Sequence, residues 1–258
     1  MPATPAWPPK SAPRLFVEQE LSQDAQLSLS GPQAHYLARV MRVGEGDVVI
    51  LCDDVTGEWA SEVVAAGKRD VTLGVVEQLR PREQVPDFWL CPALLKKDRF
   101  DLVLEKATEL GVAEIHPVVT RRCVADKLNP ERARTIVTEA AEQCARTALP
   151  RLAEPQKLDA LLRDWPEDRL LFFADEDGGD PASDAFAFTK YPERGEGQHK
   201  AALLVGPEGG FDDAEREAIR ALEQARPISL GPRILRGETA AIAATALWMG
   251  LAGDWSDG

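Results

Sequence analysis

Residues 203–216 read LLVGPEGGFDDAER. An apolar run ends in a turn of glycine and proline, and an acidic segment with helical spacing follows, so the order is strand, turn, helix. Asp212 suits the N-cap, and Glu215 three residues on makes an acidic variant of the capping box. Backbone N–H groups exposed in such a turn receive an anion or the edge of a nucleobase. GxGxxG is absent, and no Gly-Lys-Ser/Thr follows, so the turn is neither a dinucleotide fingerprint nor a P-loop. Taken alone, a bare strand-to-helix connection is an equally good reading.

A second segment of the same kind tips the balance. Residues 230–240, LGPRILRGETA, again put glycine after an apolar strand and end on a helix start. In open α/β sheets ligands sit outside the carboxyl ends of the strands, and two such loops line one pocket. Working back from them, strands and helices alternate from Phe88. FWLCPALL, AEIHPVVT, RLLFFAD, KAALLVG and PISLG read as strands. RFDLVLEKATELG places Phe100, Val103, Leu104, Ala107 and Leu110 on one helical face, with Gly111 as its stop. LNPERARTIVTEAAEQCART opens on Asn129 as cap and Pro130 at the first turn, with a stripe of Ala133, Ile136, Val137, Ala140, Ala141 and Cys144. TAAIAATALWMGLAG is a last, largely buried helix, and residues 175–199 read as a loose connection. The class is α/β with a mainly parallel sheet.

Residues 14–80 are β-rich instead, with four short strands, turns between them and one helix over Gly31–Arg42. This predicts a small barrel over 14–80 and a linker over 81–87, with residues 1–13 as a disordered lead-in carrying five prolines. No run of 18 apolar residues exists, so no membrane span is expected. The four cysteines form no CxxC pair, which argues for no metal site, no disulfide scaffold and a reducing cytoplasm. Net charge is −13, which speaks against a uniformly basic nucleic-acid binder. Residues 81–150 hold 11 Lys/Arg and 11 Asp/Glu, so a local basic face is open to the middle third.

At the two glycine loops the chain resembles the RsmE-type 16S ribosomal RNA uridine methyltransferases of the trefoil-knotted SPOUT class. HYLARVMRVGEGD, KATELGVAEIHPVVTRRC and EAAEQCART match in the same order, so the likeness covers about residues 14–253. The resemblance implies a PUA-like RNA-binding barrel at 14–80 and a knotted methyltransferase domain with the dimer interface at 88–258. It implies S-adenosyl-L-methionine as cofactor and N3 of one uridine near the decoding site as target. The partners it implies are the 16S rRNA of the 30S subunit and a second copy of the chain.

Carried over residue by residue, Leu204, Val205, Gly206, Pro207, Gly209 and Gly210 form the first cofactor loop, and Leu230, Gly231, Ile234 and Leu235 the second. The glycines would let backbone approach the adenosine. Arg236 is the candidate for stabilising charge on the substrate, and Glu208 is a candidate base that could equally cap its loop. His35, Arg39, Arg42, Lys106, Arg121, Arg122, Gln143 and Arg146 are the RNA-binding candidates, with Lys96, Lys97 and Arg99 as further cations for the backbone. Cys144, Cys123 and His116 read as structural, and Trp248 as core or dimer interface. Two rivals stay open: a knotted methyltransferase with another RNA target, and an RNA-binding module without catalysis.

Overall fold

The structure, a computed structural model, describes residues 7–9, 11–190 and 200–256. Much of the 1–13 lead-in and the end of the 175–199 connection lie outside them. The described chain divides into two units, one of residues 1–84 with 141–149 and one of residues 85–140 with 150–258.

The first unit contains β1 (Arg14–Phe16), β2 (Gln26–Ser30), α1 (Gly31–His35), β3 (Val48–Cys52), β4 (Gly57–Ala66) and β5 (Asp70–Pro81). α1 runs straight into a π-helical turn, Tyr36–Met41. The sheet order is β1-β3-β4-β5-β2, parallel only between β1 and β3. Alternation decides which face is buried: in β2, Leu27 and Leu29 point in and their polar neighbours out. Register shifts along the β4–β5 ladder bend the sheet around a core that includes Leu15, Leu37, Val49, Leu51, Val71 and Leu73. The expected barrel is thus a five-stranded sheet whose edges, β1 and β2, are not hydrogen-bonded to each other among the described residues.

Residues 141–149 belong to this unit rather than to the α/β unit. Their backbone donors explain it: Thr147 and Ala148 N–H donate to Glu83 at 2.9 and 3.1 Å, and Leu149 N–H donates to Asp54 at 2.8 Å. Asp53 anchors the turn before β4, accepting from Leu21 N–H at 2.7 Å and from Thr56 N–H at 2.7 Å. Burial raises the proton affinity of this carboxyl, but its donors outweigh burial and hold its pKa below the usual carboxylate range.

The second unit contains β6 (Phe88–Pro92), α2 (Lys97–Glu109), β7 (Glu114–Ile115), β8 (Val118–Val119), most of α3 (Pro130–Cys144), β9 (Arg151–Leu152), β10 (Gln156–Lys157) and α4 (Leu158–Arg163). It continues with β11 (Arg169–Ala174), β12 (Asp180–Pro181), α5 (Ala182–Lys190), β13 (Lys200–Val205), α6 (Asp213–Arg220), β14 (Ala225–Ser229) and α7 (Gly237–Leu251). Seven of the strands form one sheet, β12-β14-β11-β13-β6-β7-β9, parallel at every pairing. Its central strands are buried on both faces: residues 201–205 of β13 are all buried. On one face Phe88 stacks on Trp248 of α7 with centroids 4.2 Å apart, so Trp248 is core. On the other, Leu171, Phe173 and Leu204 pack with Ile219 of α6.

Local signals were realised in detail. The capping box of α6 is complete, with Asp212 accepting from Glu215 N–H at 2.7 Å and Glu215 accepting from Asp212 N–H at 3.1 Å. Asn129 caps α3 through Arg132 N–H at 3.0 Å, and Gly111 takes φ +93° after α2. Three expectations fail. Pro117 breaks AEIHPVVT, so β7 joins the large sheet while β8 pairs with β10 elsewhere, and His116 lies between them. Residues 175–199 are not all loose, since β12 and α5 fall within them. Cys144 is exposed, because the apolar stripe of α3 ends at Ala141.

Candidate active site

The carboxyl ends of β11, β13 and β14 lie side by side, and the three loops leaving them enclose a cavity of about 510 Å³. Its size is that of a small-molecule site. The first loop contributes Val205, Gly206, Pro207 and Gly210, and the second contributes Leu230, Gly231, Ile234 and Leu235. Eight of the ten sequence-derived cofactor residues therefore converge. Leu204 does not, because alternation along β13 turns its side chain into the core, 0% exposed. Gly209 does not line the cavity either: its carbonyl faces outward and accepts from Arg122 Nη1 at 2.8 Å.

The glycines act differently from one another. At Gly206 a Cβ would stand 3.2 Å from the Phe211 ring, and at Gly210, φ +66°, it would meet the Glu176 carboxylate at 2.7 Å. At Gly231 the space is open, and φ +103° is what demands glycine.

Sequence reasoning missed the third wall, Ala174–Gly178 with Arg216. The Asp175 side chain is fully buried and ion-paired to Arg216 at 3.0 Å and Arg220 at 2.6 Å, and Arg216 also reaches Asp177 at 2.7 Å. This pins the end of β11 to α6. The available signal was a charged, glycine-rich exit, ADEDGG, from a buried strand.

Glu208 is not a free base. Its carboxylate accepts from Arg99 Nη1 at 2.9 Å, and Arg99 Nε also lies 3.7 Å from Glu238. Arg99, expected among the RNA-facing cations, instead bridges the first loop to the start of α7. Arg236 is the N-cap of α7, makes no side-chain cap and is exposed, with no side-chain partner among the described residues. A cation at a helix N-terminus opposes the helix dipole, as Lys96 and Lys157 also do at the N-caps of α2 and α4.

The RNA-binding candidates divide between the units. His35, Arg39 and Arg42 are exposed on the helical segment of the first unit, and Gln143 is exposed on the last turn of α3. Arg146 is instead buried, its Nε 3.5 Å from Glu83, because it sits where residues 141–149 pack into the first unit. Lys106 is held by Glu105 at 2.7 Å and Glu109 at 2.9 Å, and those carboxylates raise its pKa, Glu105 most. Arg121 pairs with Asp212 at 2.9 Å, so with Arg122 it braces the back of the first loop. No cluster of metal-ligating side chains occurs among the described residues.

Known proteins share this arrangement. A family model described as RNA methyltransferase domain matches residues 82–249, and one described as RNA methyltransferase PUA domain matches residues 29–76. The chain is 30% identical to the ribosomal RNA small subunit methyltransferase E of Rickettsia conorii, over 90% of this chain and 93% of the relative. It is 30% identical to the protein of that name from Bacillus subtilis, over 88% of this chain and 92% of the relative. A crystal structure of the Neisseria gonorrhoeae ribosomal RNA small subunit methyltransferase E bound to S-adenosyl methionine superposes with a TM-score of 0.82, at 25% identity, covering 95% of this chain and 99% of that one.

Proposed function

The chain belongs to the RNA methyltransferase family, and we propose that it methylates N3 of one uridine in the 16S RNA of the small ribosomal subunit, near the decoding site, using S-adenosylmethionine. The observation that carries this reading is the three-walled cavity at the strand ends, in a chain whose relatives are named for small-subunit rRNA methylation.

The residues present fit the cofactor. Gly206 and Gly231 bring backbone to the cavity, while Val205, Pro207, Ile228 and Leu230 give it apolar walls for an adenosine. Glu176, exposed on one side of the cavity, places acidic charge there, suited to a cationic sulfonium or ammonium, while Asp175 and Asp177 are spent on Arg216 and Arg220. When bound, the cofactor supplies an electrophilic methyl group.

The protein's part is to position the uracil and stabilise it as N3 loses its proton to solvent water. Arg236 stands beside the cavity-lining Leu235 and Gly237, its guanidinium without a partner among the described residues. It meets the negative charge growing on the pyrimidine edge, or the adjoining phosphate. The uridine leaves its stack to reach the site. Arg99 keeps Glu208 and Glu238 in place and so holds the first loop against α7.

The wider reading is a PUA-like barrel over 14–80, a linker over 81–87 and a methyltransferase domain over 88–258 carrying a trefoil knot, with residues 141–149 grouped in the first unit. The enzyme works in the cytoplasm as a homodimer. Ile234, 92% exposed on the second loop, is an apolar side chain offered to a second copy. Nucleoside mapping of 16S rRNA from a strain lacking the gene tests the reading. Loss of a single N3-methyluridine supports it, and an unchanged modification map overturns it.

A further inference from the structure

A second cavity of about 220 Å³ opens between the start of α2 and the start of α3. Leu94, Leu95 and Phe100, each no more than 3% exposed, form its apolar floor. Lys97 and Lys127 stand exposed at its rim, neither ion-paired nor hydrogen-bonded to a described residue. Two lysines without a carboxylate partner give the cavity a positive rim in a chain of net charge −13. The third cation, Arg132, is already neutralised by Asp101 at 2.6 Å, so the rim keeps the charge of its lysines. Asn129 spends its carbonyl oxygen on the α3 cap, which leaves its amide N–H groups as donors.

This cavity adjoins the methyl-transfer site. Leu95 of its floor packs against Gly237, where a Cβ would come within 3.0 Å of Leu95 Cδ2, and Gly237 lines the larger cavity. Arg99, two residues after Lys97, holds Glu208 of the first loop.

We propose that this cavity is a subsite for a nucleotide neighbouring the methylated one in the RNA substrate. Its phosphate lies on Lys97 and Lys127, its base lies on the Leu94–Leu95–Phe100 floor, and a base carbonyl accepts from Asn129. The volume equals roughly seven molecules of liquid water, room for one planar ring in a single-stranded segment. A floor without charge and a rim whose lining acid, Asp101, is spent on Arg132 favour any base with a phosphate attached, so the subsite sets affinity and register more than base identity.

The proposal rests on the RNA methyltransferase reading, and one experiment separates the two. Methyl transfer to small ribosomal subunits lacking the modification is measured for the wild type and for the double variant Lys97→Glu/Lys127→Glu, with calorimetry of S-adenosylmethionine alongside. Both substitutions are at exposed positions, and Lys97→Gln/Lys127→Gln serves as the milder pair. The subsite predicts a KM for the particle raised about tenfold or more, kcat within about twofold of wild type, and unchanged cofactor affinity. The slope of log affinity for RNA against log salt falls by about 0.7 in magnitude, the loss of one neutralised single-strand phosphate. A double variant with wild-type KM and salt slope overturns the subsite while leaving the methyltransferase reading intact. A wild type that transfers no methyl group overturns both.

Discussion

Replacing Arg99 by alanine removes the only described link between Glu208 on the first cofactor loop and Glu238 at the start of α7. The size of the effect follows from the surroundings. Arg99 is 31% exposed in its side chain, Glu208 26% and Glu238 13%, between a surface ion pair and a buried one. Surface pairs contribute about 0.2–1 kcal/mol, and breaking a buried one costs about 3–5. An intermediate value of about 1.5 kcal/mol is expected, spent mainly on ordering residues 206–210. Since about 1.4 kcal/mol is a factor of ten, the Arg99→Ala protein binds S-adenosylmethionine roughly tenfold more weakly. Arg99→Lys recovers part, because an ammonium cannot hold two carboxylates with the geometry of a guanidinium. Glu208→Gln combined with Arg99→Ala costs less than the sum of the two single changes, since both break one contact. Isothermal calorimetry on each variant, with folding checked by circular dichroism, reads these values. Undiminished affinity in a folded Arg99→Ala protein refutes the tether.

Other perturbations give distinct signatures. Arg236→Ala cuts the methylation rate about 10²-fold with little change in cofactor affinity, as for a donor used mainly in the transition state; single-turnover methylation of small subunits reads it, and a wild-type rate contradicts it. Gly206→Val lowers the melting temperature, because its Cβ meets Phe211 at 3.2 Å, whereas at Gly231→Ala, with open space around it, the second loop shifts to relieve strain of about 1–3 kcal/mol at φ +103°, so cofactor affinity falls while the melting temperature stays closer to wild type; equal melting temperatures for the two would contradict this. His116 stacks on Trp89, opposite the Arg169 guanidinium, and burial pushes its pKa below 6.5 despite Glu114. The unfolded chain then takes the proton first, so stability falls as pH drops through about 6.5, and His116→Gln flattens that slope in urea titrations; an unchanged slope argues against it.

Local chemistry was legible in the sequence and spatial neighbourhood was not. The capping box at Asp212 and Glu215, the cap at Asn129 and the stop at Gly111 each depend on residues within a turn of one another. Two walls of the cavity followed from the rule that ligands gather at strand ends. The third wall, Ala174–Gly178, required knowing that β11 lies between β13 and β14, an order set by pairings far apart in the chain. Likewise Arg146 reads as an exposed helix cation until Glu83 and Asp54 are seen to draw residues 147–149 into the first unit. Glu208 reads as a free acid until Arg99, over a hundred residues earlier, is found on it. α5 was hidden by the glycines and prolines around it, and one proline, Pro117, split a strand that periodicity alone joined.

The central claim is methyl transfer to one uridine of the small-subunit RNA. Purified protein, methyl-labelled S-adenosylmethionine and small ribosomal subunits from a strain lacking the modification are combined, and the RNA is digested and mapped by mass spectrometry. The account predicts label at a single N3-methyluridine in the 16S RNA near the decoding site. Absence of label, or label confined to another base or another RNA, would contradict it.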